Sequence, residues 1–332
     1  MKPKIASGAS PVRVYFLGSG HIGVPTLERL HEDPRIVLVG VGTQPDRPTG
    51  RRKKLTPTAI GAAAAALGLS PDKPQSVNDP LFLQQLGAQE PDTVAVLSFG
   101  QFLKQPLLDL PRFGCLNIHT SLLPRHRGAA PVAAAILAGD TESGISYIRM
   151  DAGLDTGPVY ARLPVPVGDR ETAAGLEARL GNLAAASIVD TVVAVCRQDL
   201  VAVAQDDSAA TTATKLKKQD GKIDWREDAT TIERKIRAYQ PWPRAWFELV
   251  TGRGTKRVQI TEAAEVSPPD SSRGQNTPGK IIQADKNAWV VACGGGSALE
   301  LRRIIPEGSR EMPAEAFLRG TPVEGSACLA GA

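Results

Sequence analysis

The sequence predicts an α/β fold, a doubly wound, mostly parallel sheet followed by a smaller closed β-barrel. Three observations carry that expectation. Strand-length apolar runs alternate with helix-period segments as far as about Cys196, the pattern of parallel strands joined by crossover helices. The texture changes at Asp206–Gly221, DDSAATTATKLKKQDG, which is polar and poor in bulky apolar residues. Beyond it RVQITEAAEV, GKIIQAD, AWVVACGG and ALELRRII are short β-rich runs between turn clusters, spaced as in a small barrel. At 332 residues the chain exceeds one typical domain and can bury two cores. The expected division is a mobile tail over 1–11, a first domain over 12–205, a linker over 206–221 and a second domain over 222–332.

Taken in order, MKPKIASGAS carries charge with no apolar segment after it and reads as the tail. VRVYFLGSG is a buried strand ending in glycines, HIGVPTLERLHED a helix and IVLVGVGT a second strand. Between strand and helix, GSGHIG (Gly18–Gly23) matches G-x-G-x-x-G. Either it cradles a dinucleotide, with Asp46 meeting a ribose, or its glycines only permit a tight turn and close helix packing. Asp46 stands beyond the second strand rather than at its tip, which weakens the first reading. The Gln44–Pro57 loop holds Arg47, Arg51, Arg52, Lys53 and Lys54, and its prolines and glycine are expected to prevent regular structure. It is either a solvated surface or a basic finger that grips phosphates.

TAIGAAAAALGL makes a small-residue helix, and DTVAVLSFG makes a third strand. If the strands run parallel, its exit, Ser98 to Leu103, opens beside the next one. That next strand carries Asn117 and His119, two residues apart and so on one face. A Ser-Leu-Leu-Pro corner follows at Ser121–Pro124, then a helix through Ala133–Ala138, then the strand ISYIRM with its exit loop DAGLDTG, which carries Asp151 and Asp155. In the second domain a helix is expected from about Ala229 to Ala238, stopped by Pro241, and EAFLRG is a last helical turn.

Composition excludes several classes. A hydrophobic share of 42% and a charged share of 22% are ordinary for a soluble globular protein. Net charge is +4 with a pI near 8.9, which permits a polyanionic partner. Cys115, Cys196, Cys293 and Cys328 lie far apart without a C-x-x-C pair, so reduced thiols are expected and neither a disulfide framework nor a metal site. No apolar run approaches the roughly 20 residues of a membrane span. There is no Gly-x-Ser-x-Gly elbow and no phosphate-binding Walker loop. Asn117 suits the stabilisation of an oxyanion, His119 a proton transfer near neutral pH, and Asp155 the orientation of the imidazole and support of its protonated form. With no serine or cysteine in an obvious nucleophile position, an outside nucleophile and direct acyl transfer are implied.

The segment resembles the formyltransferases that use 10-formyltetrahydrofolate, which share Asn-x-His-x-Ser-Leu-Leu-Pro and a downstream Asp. Here 36 residues separate His119 from Asp155, in keeping with that pattern. SLLPRHRGAAP, MDAGLDTGP, QPDRPTGRRKK, KIDW and IRAYQPWP extend the likeness over nearly the whole chain, to the branch that formylates methionyl-tRNA. The resemblance implies a Rossmann-like catalytic domain and a C-terminal OB-like β-barrel that helps hold tRNA. It implies a cytoplasmic monomer of translation initiation, with 10-formyltetrahydrofolate as co-substrate and initiator methionyl-tRNA as partner. Asn117, His119 and Asp155 match the catalytic set. Ser121, Leu122, Leu123 and Pro124 match the stretch lining the tetrahydrofolate site, while Ser98, Phe99, Gly100, Gln101 and Leu103 with Met150, Asp151 and Gly153 flank the pterin. Arg47, Arg51, Arg52, Lys53 and Lys54 match an insertion that enters the tRNA acceptor end, joined by Lys215, Lys217 and Lys218 of the basic linker. Relatives keep a glycine-rich turn at GSGHIG without a dinucleotide, though His21-Ile22-Gly23 departs from their usual form, and Phe99 and Gln101 replace a tyrosine and an aliphatic residue. The rivals are a formyltransferase acting on a nucleotide or amino sugar, a non-catalytic RNA-binding module and a nicotinamide-dependent oxidoreductase.

Overall fold

The structure, a computed structural model, describes residues 10–50, 53–251, 254–267, 277–321, 323 and 329. Residues 1–9 of the expected tail, and Arg51, Arg52 and Cys328, lie outside the described residues. The chain divides into two compact units: Met1–Pro131 with Glu142–Pro166 and Glu177–Ala213, and Val132–Thr141 with Val167–Leu176 and Thr214–Ala332.

Up to Ala213 the strands are β1 Val12–Gly18, β2 Ile36–Gly42, β3 Arg47–Thr49, β4 Lys54–Thr56, β5 Thr93–Leu97, β6 Cys115–His119, β7 Arg127–Gly128, β8 Glu142–Arg149, β9 Val159–Pro166 and β10 Thr212–Ala213. The helices are α1 Val24–Glu32, α2 Ala59–Ala66, α3 Pro80–Ala88, α4 Gln105–Leu108, α5 Pro131–Ala138 and α6 Ala173–Cys196. The main sheet of the first unit has the order β2-β1-β5-β6-β8-β9. It is parallel from β2 through β6 and antiparallel in β8 and β9.

Both faces of β1 and β5 are covered, which is why these strands read as near-continuous apolar runs. Tyr15, Leu17, Val94 and Val96 pack with Phe82 and Leu86 of α3. That helix begins at Pro80, and the Asp79 carboxylate caps it by accepting from the Leu81 amide at 2.9 Å. Helix α2 is capped in the same way by the Thr58 hydroxyl, which accepts from the Gly61 amide. Along α6, Leu176, Leu180, Ala184, Ile188 and Val192 recur every fourth position and are buried, the stripe of a core helix. By length and composition α6 would suffice to cross a membrane.

The basic loop departs from expectation. β3 and β4 form an antiparallel hairpin pairing Arg47 with Thr56, Pro48 with Leu55 and Thr49 with Lys54. Pro48 is tolerated because a two-stranded ribbon consists of edges, where a missing N–H costs little. Gly50 at φ 68° and Lys53 at φ 47° are both left-handed, and the Lys53 amide donates to the Gly50 carbonyl at 3.2 Å.

In the second unit the further elements are α7 Ala229–Ala238, β11 Ala245–Thr251, β12 Gly254–Val266, β13 Ile281–Ala284, β14 Trp289–Ala292, β15 Ala298–Pro306, β16 Met312–Pro313 and α8 Ala314–Gly320. The antiparallel sheet β11-β12-β15-β14-β13, with β16 added on β15, curls round a core built on Trp225, Phe247 and Trp289. Helix α7 has the expected span, is capped by Asp228 on the Thr231 amide, and buries Ile232 and Ile236 in that core. The polar 206–221 stretch holds two turns of 3-10 helix, Asp207–Ala209 and Lys218–Gly221, on either side of β10.

Candidate active site

Strand β6 lies between β5 and β8, with Asn117 opposite Val96 and Ile148, and His119 opposite Ser146. The two side chains leave one face, and the turn after β8 returns Asp155 to meet them. Asn117 Nδ2 donates to Asp155 Oδ1 at 3.3 Å. His119 Nδ1 stands 3.5 Å from Asp155 Oδ2, and the same oxygen accepts the Gly128 amide at 2.9 Å. Asp155 adopts φ 55°, a left-handed conformation that aspartate tolerates better than most residues. Within the same turn Asp151 Oδ1 accepts from the Gly153 amide at 3.0 Å and the Thr156 hydroxyl at 2.7 Å. A side chain at Gly157 would collide with the Arg149 carbonyl.

The protonation of His119 follows from its neighbours. Its Nε2 lies 2.9 Å from the His126 carbonyl oxygen. A carbonyl has no proton to give, so Nε2 carries the hydrogen and donates it. In the neutral ring the lone pair is then on Nδ1, the nitrogen facing Asp155. Burial lowers the His119 pKa below the ordinary histidine value, outweighing the Asp155 carboxylate and the His126 carbonyl, which raise it. The expected support of the protonated form by Asp155 is thus present but overcome. On gaining a proton at Nδ1, the ring would have both N–H groups matched, one to the carbonyl and one to the carboxylate.

Neighbouring nucleophiles are occupied or inert. Ser121 Oγ donates to the Arg125 carbonyl at 2.7 Å. Ser146 Oγ donates to the Ser121 carbonyl and accepts from the Leu123 amide. Burial pushes the Cys115 thiol up to about 12, which leaves almost no thiolate at neutral pH.

Other expected site residues are placed differently from one another. Ser98 is exposed at φ 51° and Gly100 at φ 86°. Phe99 and Leu103 are buried in the core of the first unit. Gln101 spends its side chain locally, accepting from the Val77 amide at 2.9 Å and donating to the carbonyls of Pro74 and Gln75. Met150 is partly buried against that core, and Asp151 and Gly153 are exposed. Ser121 and Leu123 are buried and Leu122 and Pro124 half-buried, with Leu123 packed on Ile148 and Val159. Side chains of Phe99, Gln101, Ser121 and Leu123 are therefore spent on packing and on local turns. Arg47, Lys53 and Lys54 are exposed on the hairpin of the first unit, and Lys215, Lys217 and Lys218 are exposed in the second.

The GSGHIG turn is not a phosphate cradle. The amides of Ser19 and Gly20 both donate to the Ser98 carbonyl, at 3.1 and 3.2 Å, and the Gly23 amide to the Gly20 carbonyl. Asp46 pairs with Lys73 at 2.7 Å rather than standing ready for a ribose. The glycines serve packing: a side chain at Gly20 would strike Ser98.

Sequence reasoning missed three parts of the site, the His126 carbonyl, the Gly128 amide and Gln205. Two are backbone groups with no side-chain signature. The third donates from Nε2 to the carbonyls of Asp155 (2.8 Å) and Gly157 (2.7 Å) from 50 residues away.

A mostly parallel sheet bearing an amide, a neutral imidazole and a carboxylate, with no activated nucleophile beside them among the described residues, fits the class of acyl transferases that act on a visiting nucleophile. The family model described as formyl transferase matches residues 12–193, and that described as formyl transferase, C-terminal domain, matches residues 215–322. A methionyl-tRNA formyltransferase of Thiobacillus denitrificans is 43% identical over 313 residues, 93% of this chain and 96% of the relative. One of Pseudomonas entomophila is 39% identical over 301 residues, 91% of this chain and 93% of the relative. Among solved structures, WlaRD, a sugar 3N-formyl transferase in the presence of dTDP and 5-N-formyl-THF, superposes with a TM-score of 0.62 at 15% identity, covering 91% of this chain and all of that one. The chain belongs to the methionyl-tRNA formyltransferase family.

Proposed function

We propose that this chain transfers the formyl group of 10-formyltetrahydrofolate to the α-amino group of initiator methionyl-tRNA, acting in the cytoplasm. The observation that carries the mechanism is the convergence of Asn117, His119 and Asp155 beside hydroxyls and a thiol that are unavailable as nucleophiles. The amine is the nucleophile. Its reference pKa is about 8, so a usable fraction is neutral at pH 7. It attacks the formyl carbon, and the carbonyl oxygen becomes an oxyanion that Asn117 Nδ2 stabilises by donation. The excess proton on the attacking nitrogen passes to His119 Nδ1, where Asp155 stabilises the resulting imidazolium. That proton then goes to N10 as the carbon–N10 bond breaks, and His119 returns to neutral. The Ser98–Leu103 strand exit, the Ser121–Pro124 corner and the Met150–Gly153 turn are assigned to the folate. Arg47, Lys53 and Lys54, with Lys215, Lys217 and Lys218, are assigned to tRNA phosphates.

The functional test is formyl transfer from 10-formyltetrahydrofolate to charged initiator tRNA, with uncharged tRNA and an amino sugar nucleotide as alternative acceptors. Transfer to the amino sugar nucleotide with none to charged tRNA would sink the proposal. A second expectation concerns pH. His119 must be neutral to accept the proton, and burial depresses its pKa. Protonation of the substrate amine alone makes log kcat/KM fall with unit slope below about pH 8, and His119 should steepen that fall only below the ordinary histidine value of about 6.5. A second break at or above that value in the pH–rate profile would exclude His119 as the group responsible.

The hairpin makes a third expectation. Replacing Arg47, Lys53 and Lys54 together by alanine removes three exposed cations. Each lost phosphate contact lowers the slope of log affinity against log salt by about 0.7–0.9, so the slope should fall by about 2–3. An unchanged slope in a filter-binding titration would take the hairpin out of the tRNA interface.

A further inference from the structure

We infer that Gln205 is a positioning residue for the acyl-transfer site, holding Asp155 in its left-handed backbone conformation and tying the Asp155 turn to the neighbouring 126–128 loop. The inference rests on the role given to Asp155 above. Both hydrogens of the Gln205 amide are committed to that turn, one on the Asp155 carbonyl at 2.8 Å and one on the Gly157 carbonyl at 2.7 Å. Its Oε1 accepts two donations from one guanidinium, Arg127 Nε at 3.1 Å and Nη2 at 2.9 Å. Arg127 in turn pairs with Asp207 at 2.7 Å. The amide orientation is unambiguous, since its donors meet two carbonyls and its acceptor meets a cation.

The consequence is geometric. Asp155 at φ 55° occupies the left-handed region, which aspartate enters more readily than most residues but still at a cost, so its surroundings must hold it there. Gln205 does so by fixing the peptide groups at Asp155 and Gly157. Through Arg127 the same side chain fixes the loop whose two ends bracket the site, the His126 carbonyl on His119 Nε2 and the Gly128 amide on Asp155 Oδ2. The chain around Gln205 is itself fastened to this loop. The Arg127 amide donates to the Thr211 carbonyl and the Ala129 amide to the Ala213 carbonyl, both at 2.8 Å, and the His126 amide donates to Thr211 Oγ1 at 2.8 Å. Gln205 touches no reacting atom; it acts through Asp155.

The test compares Gln205→Ala and Gln205→Glu with the wild type in steady-state formyl transfer. Glutamate keeps the shape and the attraction to Arg127 but has no hydrogens for the two carbonyls. Both variants are expected to lose kcat by on the order of 10- to 100-fold, the scale of a misplaced catalytic group, with KM for either substrate nearly unchanged. In an Asp155→Asn background Gln205→Ala should cost little more, because the residue it positions is already disabled. Recovery of activity by glutamate would overturn the inference, since the Arg127 contact alone would then suffice. So would a kcat within twofold of wild type for the alanine variant, or an effect confined to KM. Failure of both variants to fold, read by circular dichroism and thermal unfolding, would also overturn it, because the residue would then hold the fold rather than the site. An inactive wild type would instead defeat the proposed function, which keeps the two failures apart.

Discussion

Asn117→Ala is expected to lower formyl-transfer turnover by about 10²–10³, the usual cost of one lost oxyanion donor, with tRNA affinity nearly unchanged. The site should survive the change, because Asp155 Oδ2 keeps the Gly128 amide and the facing His119 ring when the Asn117 donation to Oδ1 is lost. Asn117→Asp sharpens the test. It preserves size but removes both N–H donors and adds a carboxylate beside Asp155, so it should be at least as damaging as alanine. Single-turnover kinetics at saturating substrates isolate the chemical step. Turnover within tenfold of wild type in the alanine variant would remove Asn117 from the mechanism.

The second large effect is on stability. Trp289 is fully buried in the second unit, stacked on Phe317 with ring centres 5.8 Å apart and edge-on to Phe247 at 5.9 Å. Trp289→Ala should cost about 3–5 kcal/mol, the range for removing a large aromatic side chain from a packed core. The indole N–H has no hydrogen-bond partner among the described residues, so the loss is one of packing and apolar burial. Trp289→Phe should therefore recover much of it by keeping a ring on Phe317. Calorimetric or urea unfolding of the whole chain measures this. A loss below about 1 kcal/mol in the alanine variant would show that the core closes over the gap, contrary to the usual incomplete relaxation.

Much of this architecture was legible from the chain. β1 and β5 announced themselves as continuous apolar runs because both their faces are covered, and the end of α7 was marked by Pro241, while its cap at Asp228 emerged only with the structure. The spacing of Asn117 and His119 was readable because a strand alternates faces. The β3–β4 hairpin was not, because Pro48 and Gly50 signal irregularity in most contexts and only the pairing of Arg47 with Thr56 makes them compatible with a ribbon. At the β5 exit, motif matching does not tell side chain from backbone. Phe99 and Leu103 turn inward to the core and Gln101 is consumed by the Val77 amide. The state of His119 was hidden for a similar reason, since it depends on a carbonyl seven residues away and on burial, neither of which has a one-dimensional signature.

The turn from Asp151 to Gly157 sets a rule for redesign. Asp151 is spent on Gly153 and Thr156, Asp155 is held by its carboxylate and its carbonyl, and Gly157 has no room for a side chain. Ala152 and Leu154 are exposed, Leu154 at 60%, and they alone in this heptapeptide can be diversified without moving a neighbour that matters. Substitutions meant to leave the geometry at Asp155 intact belong at those two positions, with the other five left untouched.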